Sequence, residues 1–197
     1  MRRLTPWCFG LAVLALMAGC AGRDFTRPTP ESLVLGKTTY AEINARFGSP
    51  YRESTLIKNE KTLRMASYAY ATTGGDPLVS GVTPARGMDF AFLDQVLVSY
   101  QFVSSFKADH TDFDQNKVPS IKKGVTPRDE VIALLGPPTG MQIYPMVPGK
   151  DDTGLGWSYS QVRGSAFSLK IYQKVVVVSV TPAGVVTDVQ LTVSGER

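Results

Sequence analysis

Apolar and polar positions along this chain keep two rhythms. Ile43 and Phe47 are four residues apart, as are Val131 and Leu135, and each pair marks one face of a short helix. Elsewhere the pattern is β-prone. It predicts strands over 63–71, 88–93 and 96–103, then at Trp157-Ser158-Tyr159, 165–172, 175–180 and 185–193. Asp94-Gln95 makes a tight turn between two of these, and Thr181-Pro182-Ala183-Gly184 makes another. The run Val175–Val180 is apolar at nearly every position, which predicts a central strand covered on both faces.

The helix pattern occurs twice. LVLGKTTYAEINARFGSP (33–50) and IKKGVTPRDEVIALLGPP (121–138) align at one offset of 88 residues. Gly36 meets Gly124, Thr38 meets Thr126, Glu42 meets Glu130, Ala45 meets Ala133, Gly48 meets Gly136 and Pro50 meets Pro138. Those six identities in 18 positions compare with about one expected from average composition. Thr126 reads as an N-cap, with Pro127 at the first helical position. In the first copy Thr39 and Glu42 have capping-box spacing, so the cap there sits one residue later. Gly48 and Gly136 fit the left-handed position past a helix end, and the prolines that follow prevent continuation. Each copy is thus a helical start followed by an antiparallel meander. The predicted class is α+β, in two tandem units, each with short helices on a three- or four-stranded antiparallel sheet.

The first twenty residues follow neither rhythm. Arg2 and Arg3 precede 13 uncharged, mostly apolar residues, Pro6–Ala18, against about 20 needed to span a bilayer as a helix. That is the form of a secretory signal. Its exit, Leu16-Met17-Ala18-Gly19-Cys20, resembles the lipobox of bacterial lipoproteins. The resemblance implies cleavage between Gly19 and Cys20 and covalent lipid on Cys20. Position 21 is Ala rather than Asp, which implies the outer membrane and its periplasmic face. Cys8 leaves with the signal, so the processed chain keeps one cysteine and no disulfide. The boundaries expected are signal 1–19, flexible lipidated tether 20–32, first unit 33–104, connector 105–117 and second unit 118–197.

Composition narrows the function. Losing Arg2 and Arg3 lowers the formal net charge from +4 to +2, and no run of five or six like charges is present, so nucleic acid is not an expected partner. His110 is the single histidine, which rules out triads built on a second one. Asp112, Asp114 and Asn116 have the opening spacing of a calcium loop, but Lys117 and Lys123 stand where its glycine and closing glutamate belong. Asp151 and Asp152 fall in a Gly-rich turn. These patterns predict no enzyme, no metal, no cofactor beyond the lipid and no small-molecule substrate. The segments 71–88 and 139–156 exceed ordinary hairpin loops and are candidate recognition loops. Met141, Ile143, Tyr144 and Met146 in the second, with Trp157 and Tyr159 beyond it, are the candidate partner-binding residues. Their alternative is packing against their own sheet.

The pattern I-x-x-G-x-T, E-V, L-G-x-P, W-x-Y and a terminal hairpin resembles the SmpA/OmlA (BamE-like) lipoprotein domain. That domain is related in shape to the β-lactamase inhibitor protein, which carries two such units. The resemblance implies a non-enzymatic module on the outer membrane, held there by its lipid and bound to an envelope protein. It serves either the assembly and integrity of the envelope or the inhibition of an envelope enzyme through a concave sheet face. Cys20→Ala is expected to leave only unprocessed, unlipidated precursor on a gel; processed protein from that variant would refute the lipobox.

Overall fold

The computed structural model describes residues 22–165 and 168–196, so the Gly19 and Cys20 expectations fall outside the described residues. A 3-10 turn (Pro30–Ser32) leads into helix α1 (Tyr40–Phe47). Strands β1 (Arg52–Lys58), β2 (Lys61–Ala71), β3 (Val82–Thr83), β4 (Ala85–Leu93) and β5 (Val96–Ser104) follow. A 3-10 helix (Gln115–Ser120) and α2 (Arg128–Leu135) come next. Strands β6 (Gly140–Gln142), β7 (Thr153–Ser165), β8 (Ser168–Val180) and β9 (Val186–Gly195) complete the order. Among the described residues no helix is long and apolar enough to cross a membrane.

The class is α+β, dominated by antiparallel sheet. The sequence predicts a three- or four-stranded sheet for each unit and leaves open whether they join; among the described residues nine strands share one sheet, ordered β1-β2-β4-β5-β6-β7-β8-β9, with β3 paired to β7. The join is β5–β6, where Tyr100 faces Met141. The sequence reading missed β1, whose nearly all-exposed residues give no alternation. It also split β8, which runs unbroken from Ser168 to Val180.

Both copies of the repeated motif are built by the same bonds. Thr38 Oγ1 accepts from Val34 N–H at 2.9 Å, and Thr126 Oγ1 from Lys122 N–H at 2.7 Å. Gly36 and Gly124 both have φ +75°, conformations that favour glycine. Gly36 N–H then donates to Leu97 O and Leu97 N–H to Thr38 O, both at 2.8 Å. Gly124 N–H donates to Val186 O at 2.7 Å and Val186 N–H to Thr126 O at 3.1 Å. The first helical N–H groups, which have no partner within a helix, find the hairpin turns: Tyr40 N–H reaches Gln95 O at 2.9 Å and Arg128 N–H reaches Gly184 O at 2.7 Å. Thr126 therefore closes the turn rather than capping α2. The N-caps are Thr39 and Pro127, at equivalent positions. Thr39 and Glu42 form the capping box, and its hydrogen bonds hold the Glu42 carboxyl below its ordinary value.

The helix ends match too. Gly48 has φ +79°, ψ −166° and Gly136 has φ +83°, ψ −177°. The φ sign is as expected, but the ψ values belong to an extended region almost confined to glycine. Tyr68 hydroxyl donates to Gly48 O and Trp157 Nε1 to Gly136 O, each at 3.0 Å. Burial pushes the Tyr68 phenol up to about 12, which keeps it a donor.

Both helices lie on one face of the sheet. Under α1, Ile43 and Phe47 meet Tyr68, Phe90, Phe92 and Phe102. Under α2 and the 3-10 helix, Val131 and Leu135 meet Leu155, Trp157, Val176 and Val178. Met141 packs against both groups, at the seam. The tether reading needs correction from Gly22 onward. Phe25 sits 6.0 Å from the Phe47 ring and 6.5 Å from Phe102, Arg27 donates to Pro138 O at 2.9 Å, and Asp24 pairs with Arg86 at 2.7 Å. Polar composition pointed to a free segment, but one aromatic and two ionic groups fasten it down.

A Cβ at Gly136 meets no other atom within 4 Å, so Gly136→Ala tests backbone conformation alone. The expected loss is about 1–3 kcal/mol in urea unfolding; an unchanged midpoint would show that the ψ near 180° is not imposed by the fold.

Candidate functional site

The face opposite the helices carries no helix and is covered in part by the segment after β6. Strand alternation sends Ala66, Tyr68, Phe90, Phe102, Trp157 and Val176 toward the helices. Their neighbours Met65, Ser67, Ala91, Ser99, Gly156, Ser158, Val175 and Val177 therefore look the other way. Most are small or uncharged, so the middle of this face is a shallow floor with aliphatic borders. Among the described residues the strands contribute no aromatic side chain to it. Gln101 lies across two of its glycines: a Cβ at Gly140 or Gly156 would collide with its Oε1. Its Nε2 is fixed by Thr139 Oγ1 at 2.6 Å and Phe102 O at 2.9 Å.

One end of the floor has a roof. The segment after β6 folds back, and Ile143 and Met146 pack on Leu63, Ala91 and Val98. Ile143 N–H donates to Val98 O at 2.9 Å. Asn59, at the tip of the β1–β2 hairpin, donates to Pro145 O at 2.9 Å and Val147 O at 3.1 Å. Asp152 accepts from the Thr187 hydroxyl at 2.7 Å, pinning the segment's other end. A cavity of about 230 Å³ opens between roof and floor, bordered by Met65, Ala91, Ser99, Met146, Val175 and Val177. Its charged member is Asp89, whose carboxylate accepts from Ser67 Oγ at 2.6 Å. Crowding raises the Asp89 pKa above its ordinary value against the opposing effects of Ser67 and Arg52, although the residue remains open to solvent.

The six candidate partner residues divide by placement. Trp157 and Tyr159 are 1% and 0% exposed on the helix face, so they are core and not an aromatic surface. The signal that finds this is local: Leu155, Trp157 and Tyr159 alternate with Gly156, Ser158 and Ser160. Met141 fills the seam between the two halves of the core. Ile143 and Met146 cover their own sheet, and Tyr144 hydroxyl contacts Asn59 O at 3.4 Å. Of the six, Met141 and Met146 border the cavity. Sequence reasoning missed Met65, Val175 and Val177. Val175 and Val177 belong to a strand expected to be covered on both faces, and they are only half-buried.

The acidic run around His110 is committed elsewhere. Asp112 Oδ1 stands 2.6 Å from Lys174 Nζ, a group with 2% side-chain exposure. Lys174 also donates to Phe113 O and lies 4.5 Å from the Phe113 ring centre. Asp114 accepts from Asn116 N–H at 3.0 Å and starts the 3-10 helix. The calcium-like spacing thus latches residues 112–120 onto β8. Among the described residues no three His, Cys, Asp or Glu side chains gather as metal ligands.

No family model and no curated protein matches the chain. A solved structure from Streptococcus mutans, described as that of a proposed β-lactamase inhibitor protein, is similar at 12% identity and a TM-score of 0.39. That alignment covers 82% of this chain and 91% of the other.

Lys174→Met leaves the Asp112 carboxylate without its cation in a mostly dry site. The expected cost is about 3 kcal/mol, read by thermal or urea unfolding. Asp112→Asn with Lys174→Met should recover part of it; equal stability of the single variant and the parent would mean that the latch is idle.

Proposed function

We propose that this chain is a non-enzymatic lipoprotein of the outer membrane, anchored through Cys20 on the periplasmic side, and that it binds an envelope protein with the open face of its sheet. The observation that carries this reading is the division of labour between the two faces. Helices, the 112–120 latch and every buried aromatic strand residue serve one face. The other carries no helix: Met65, Val175 and Val177 stay partly exposed there around a floor of small residues, with Asp89 as the charged group beside the cavity, and partly exposed apolar side chains gathered in one place suit a partner.

The motif duplicated at an offset of 88 residues supports two tandem units of BamE-like type, with 33–104 and 118–197 fused through β5 and β6 into one sheet. The docking of Phe25 and Asp24 changes how the anchor works. Only Ala21 separates Cys20 from Gly22, so the two are at most about 7 Å apart in extended chain. The lipid therefore holds the folded body against the bilayer and not on a leash.

An inhibitor-like role is the second reading. It calls for an aromatic contact surface, and this floor is aliphatic and small. The first reading, a module serving envelope assembly or integrity, is the better supported of the two on that ground.

The experiment is in-cell crosslinking and mild-detergent capture of the lipidated chain, read by mass spectrometry, beside Val177→Lys. Barrel-assembly or other envelope-assembly proteins captured by the parent, and reduced at least tenfold by Val177→Lys, are expected. One soluble enzyme captured instead would install the inhibitor-like reading. A partner retained by Val177→Lys in full would remove the open face from the account.

A further inference from the structure

The two edges of the sheet are built differently. Edge β1 reads Arg-Glu-Ser-Thr-Leu-Ile-Lys, with charge at both ends. Charged side chains of that kind keep an edge from pairing with another chain. Edge β9 confines its charge, Asp188, to one end. Beyond Asp188 it runs Val189-Gln190-Leu191-Thr192-Val193-Ser194-Gly195, seven residues without charge or proline. Its inner side pairs with β8 from Val186 to Gly195, and among the described residues no strand pairs with its outer side. Its register irregularity falls at the Val186 end, and pairing with β8 runs without a shift from Asp188 to Gly195.

The side chains sharpen the asymmetry. Val189, Leu191 and Val193 point to the helix face; Val189 packs on the core under α2, whereas the next two lie beyond its cover. Leu191 is 41% exposed and Val193 43%. An apolar row therefore runs beside an open backbone edge, and a strand added there would satisfy both at once.

We propose that β9 is a self-pairing edge, at which a second copy of this chain adds its own β9 antiparallel across a twofold axis. The register follows from the row. For both helix faces to lie on one side of the joined sheet, the axis must pass through a residue. Centred on Leu191, it sets Leu191 against itself and Val189 against Val193, so all three apolar residues meet apolar residues. Asp188 then faces Ser194, and no like charges meet. Centred one residue earlier, Val193 would face Thr187; one residue later, Asp188 would face Glu196. Only the Leu191 register satisfies both row and charge. An isologous interface of this kind closes after two copies. This pairing is independent of the partner assigned to the open face.

The test uses the full chain produced in cells, with one cysteine added at a time and mild oxidation before a non-reducing gel. In the proposed register Leu191→Cys places identical residues about 5 Å apart, within disulfide reach. Ser194→Cys places its two copies about 20 Å apart. Most of Leu191→Cys is expected as covalent dimer, with Ser194→Cys at the parent's level, which also controls for Cys20. Size-exclusion with light scattering on the parent should give twice the chain mass, and Leu191→Lys should halve it with an unchanged circular dichroism spectrum. A parent that stays monomeric at hundreds of micromolar, or Ser194→Cys crosslinking as well as Leu191→Cys, overturns the proposal. Capture of an added apolar peptide by a monomeric parent would assign the edge to a foreign strand and overturn it equally.

Discussion

The architecture depends on one repeated fastening, the backbone ladder between each Gly-x-Thr turn and the hairpin that ends its half of the chain. Gly36 and Thr38 clasp Leu97; Gly124 and Thr126 clasp Val186. An eight-residue helix has little stability in water by itself. Here its first N–H is received by a hairpin turn and its last turn by an aromatic donor, Tyr68 or Trp157. The helix is thus tied at both ends to the strands it covers. Each such hydrogen bond contributes only about 1 kcal/mol net. Their value is geometric: they fix which face of the sheet the helix takes, and the buried aromatics follow from that.

The choice of face has a consequence for function. A sheet packed on one side leaves its other side to water, and antiparallel sheets tolerate this when alternate residues are polar or small. In this chain they are small more often than polar. Gly140, Gly154 and Gly156 add little chemistry of their own, but they let Gln101, Gln142 and Val147 lie close over the strands. A roof from the 143–152 segment protects one end, and the remainder is the surface that the proposed function uses. Stability is built on one face, and the other is free to diverge.

Much of this was legible before any coordinates. The repeat was readable because its constraints are local: a glycine with positive φ, a threonine closing a turn, a glycine at a helix end. Such requirements leave letters in the sequence. The α+β class and both tight turns were readable for the same reason. The unread parts are those where context decides. Strand β1 has no alternation because it lies at an edge with neither face buried. Val175 and Val177 look like core, yet the helices that would cover them sit on the opposite side. Trp157 and Tyr159 suggest a surface until their alternation with Gly156 and Ser158 is taken as a facing rule. Asp112 has the spacing of a calcium-loop ligand and reads as part of a solvated loop, because its partner, Lys174, lies 62 residues away. The spacing of a motif carries no record of a cation brought in by folding.

The last step joins the anchor to the edge. The described chain begins at Gly22, where a Cβ would run into Ala69 O on β2. Beta9 lies six strands further along the sheet order. At about 4.8 Å per strand that is near 29 Å on a flat sheet, and less on a twisted one. A lipid on Cys20 would hold the β2 end at the bilayer and leave the β9 edge at the far end. On the proposed anchoring, β9 would stay clear of the bilayer. Charge protects β1, close to the anchor, whereas β9 carries an apolar row instead. An edge that had only to avoid aggregation would need a lysine in that row, and selection against unwanted pairing readily supplies one. Leu191 and Val193 stand where it would go, which is the arrangement expected when pairing is the edge's use.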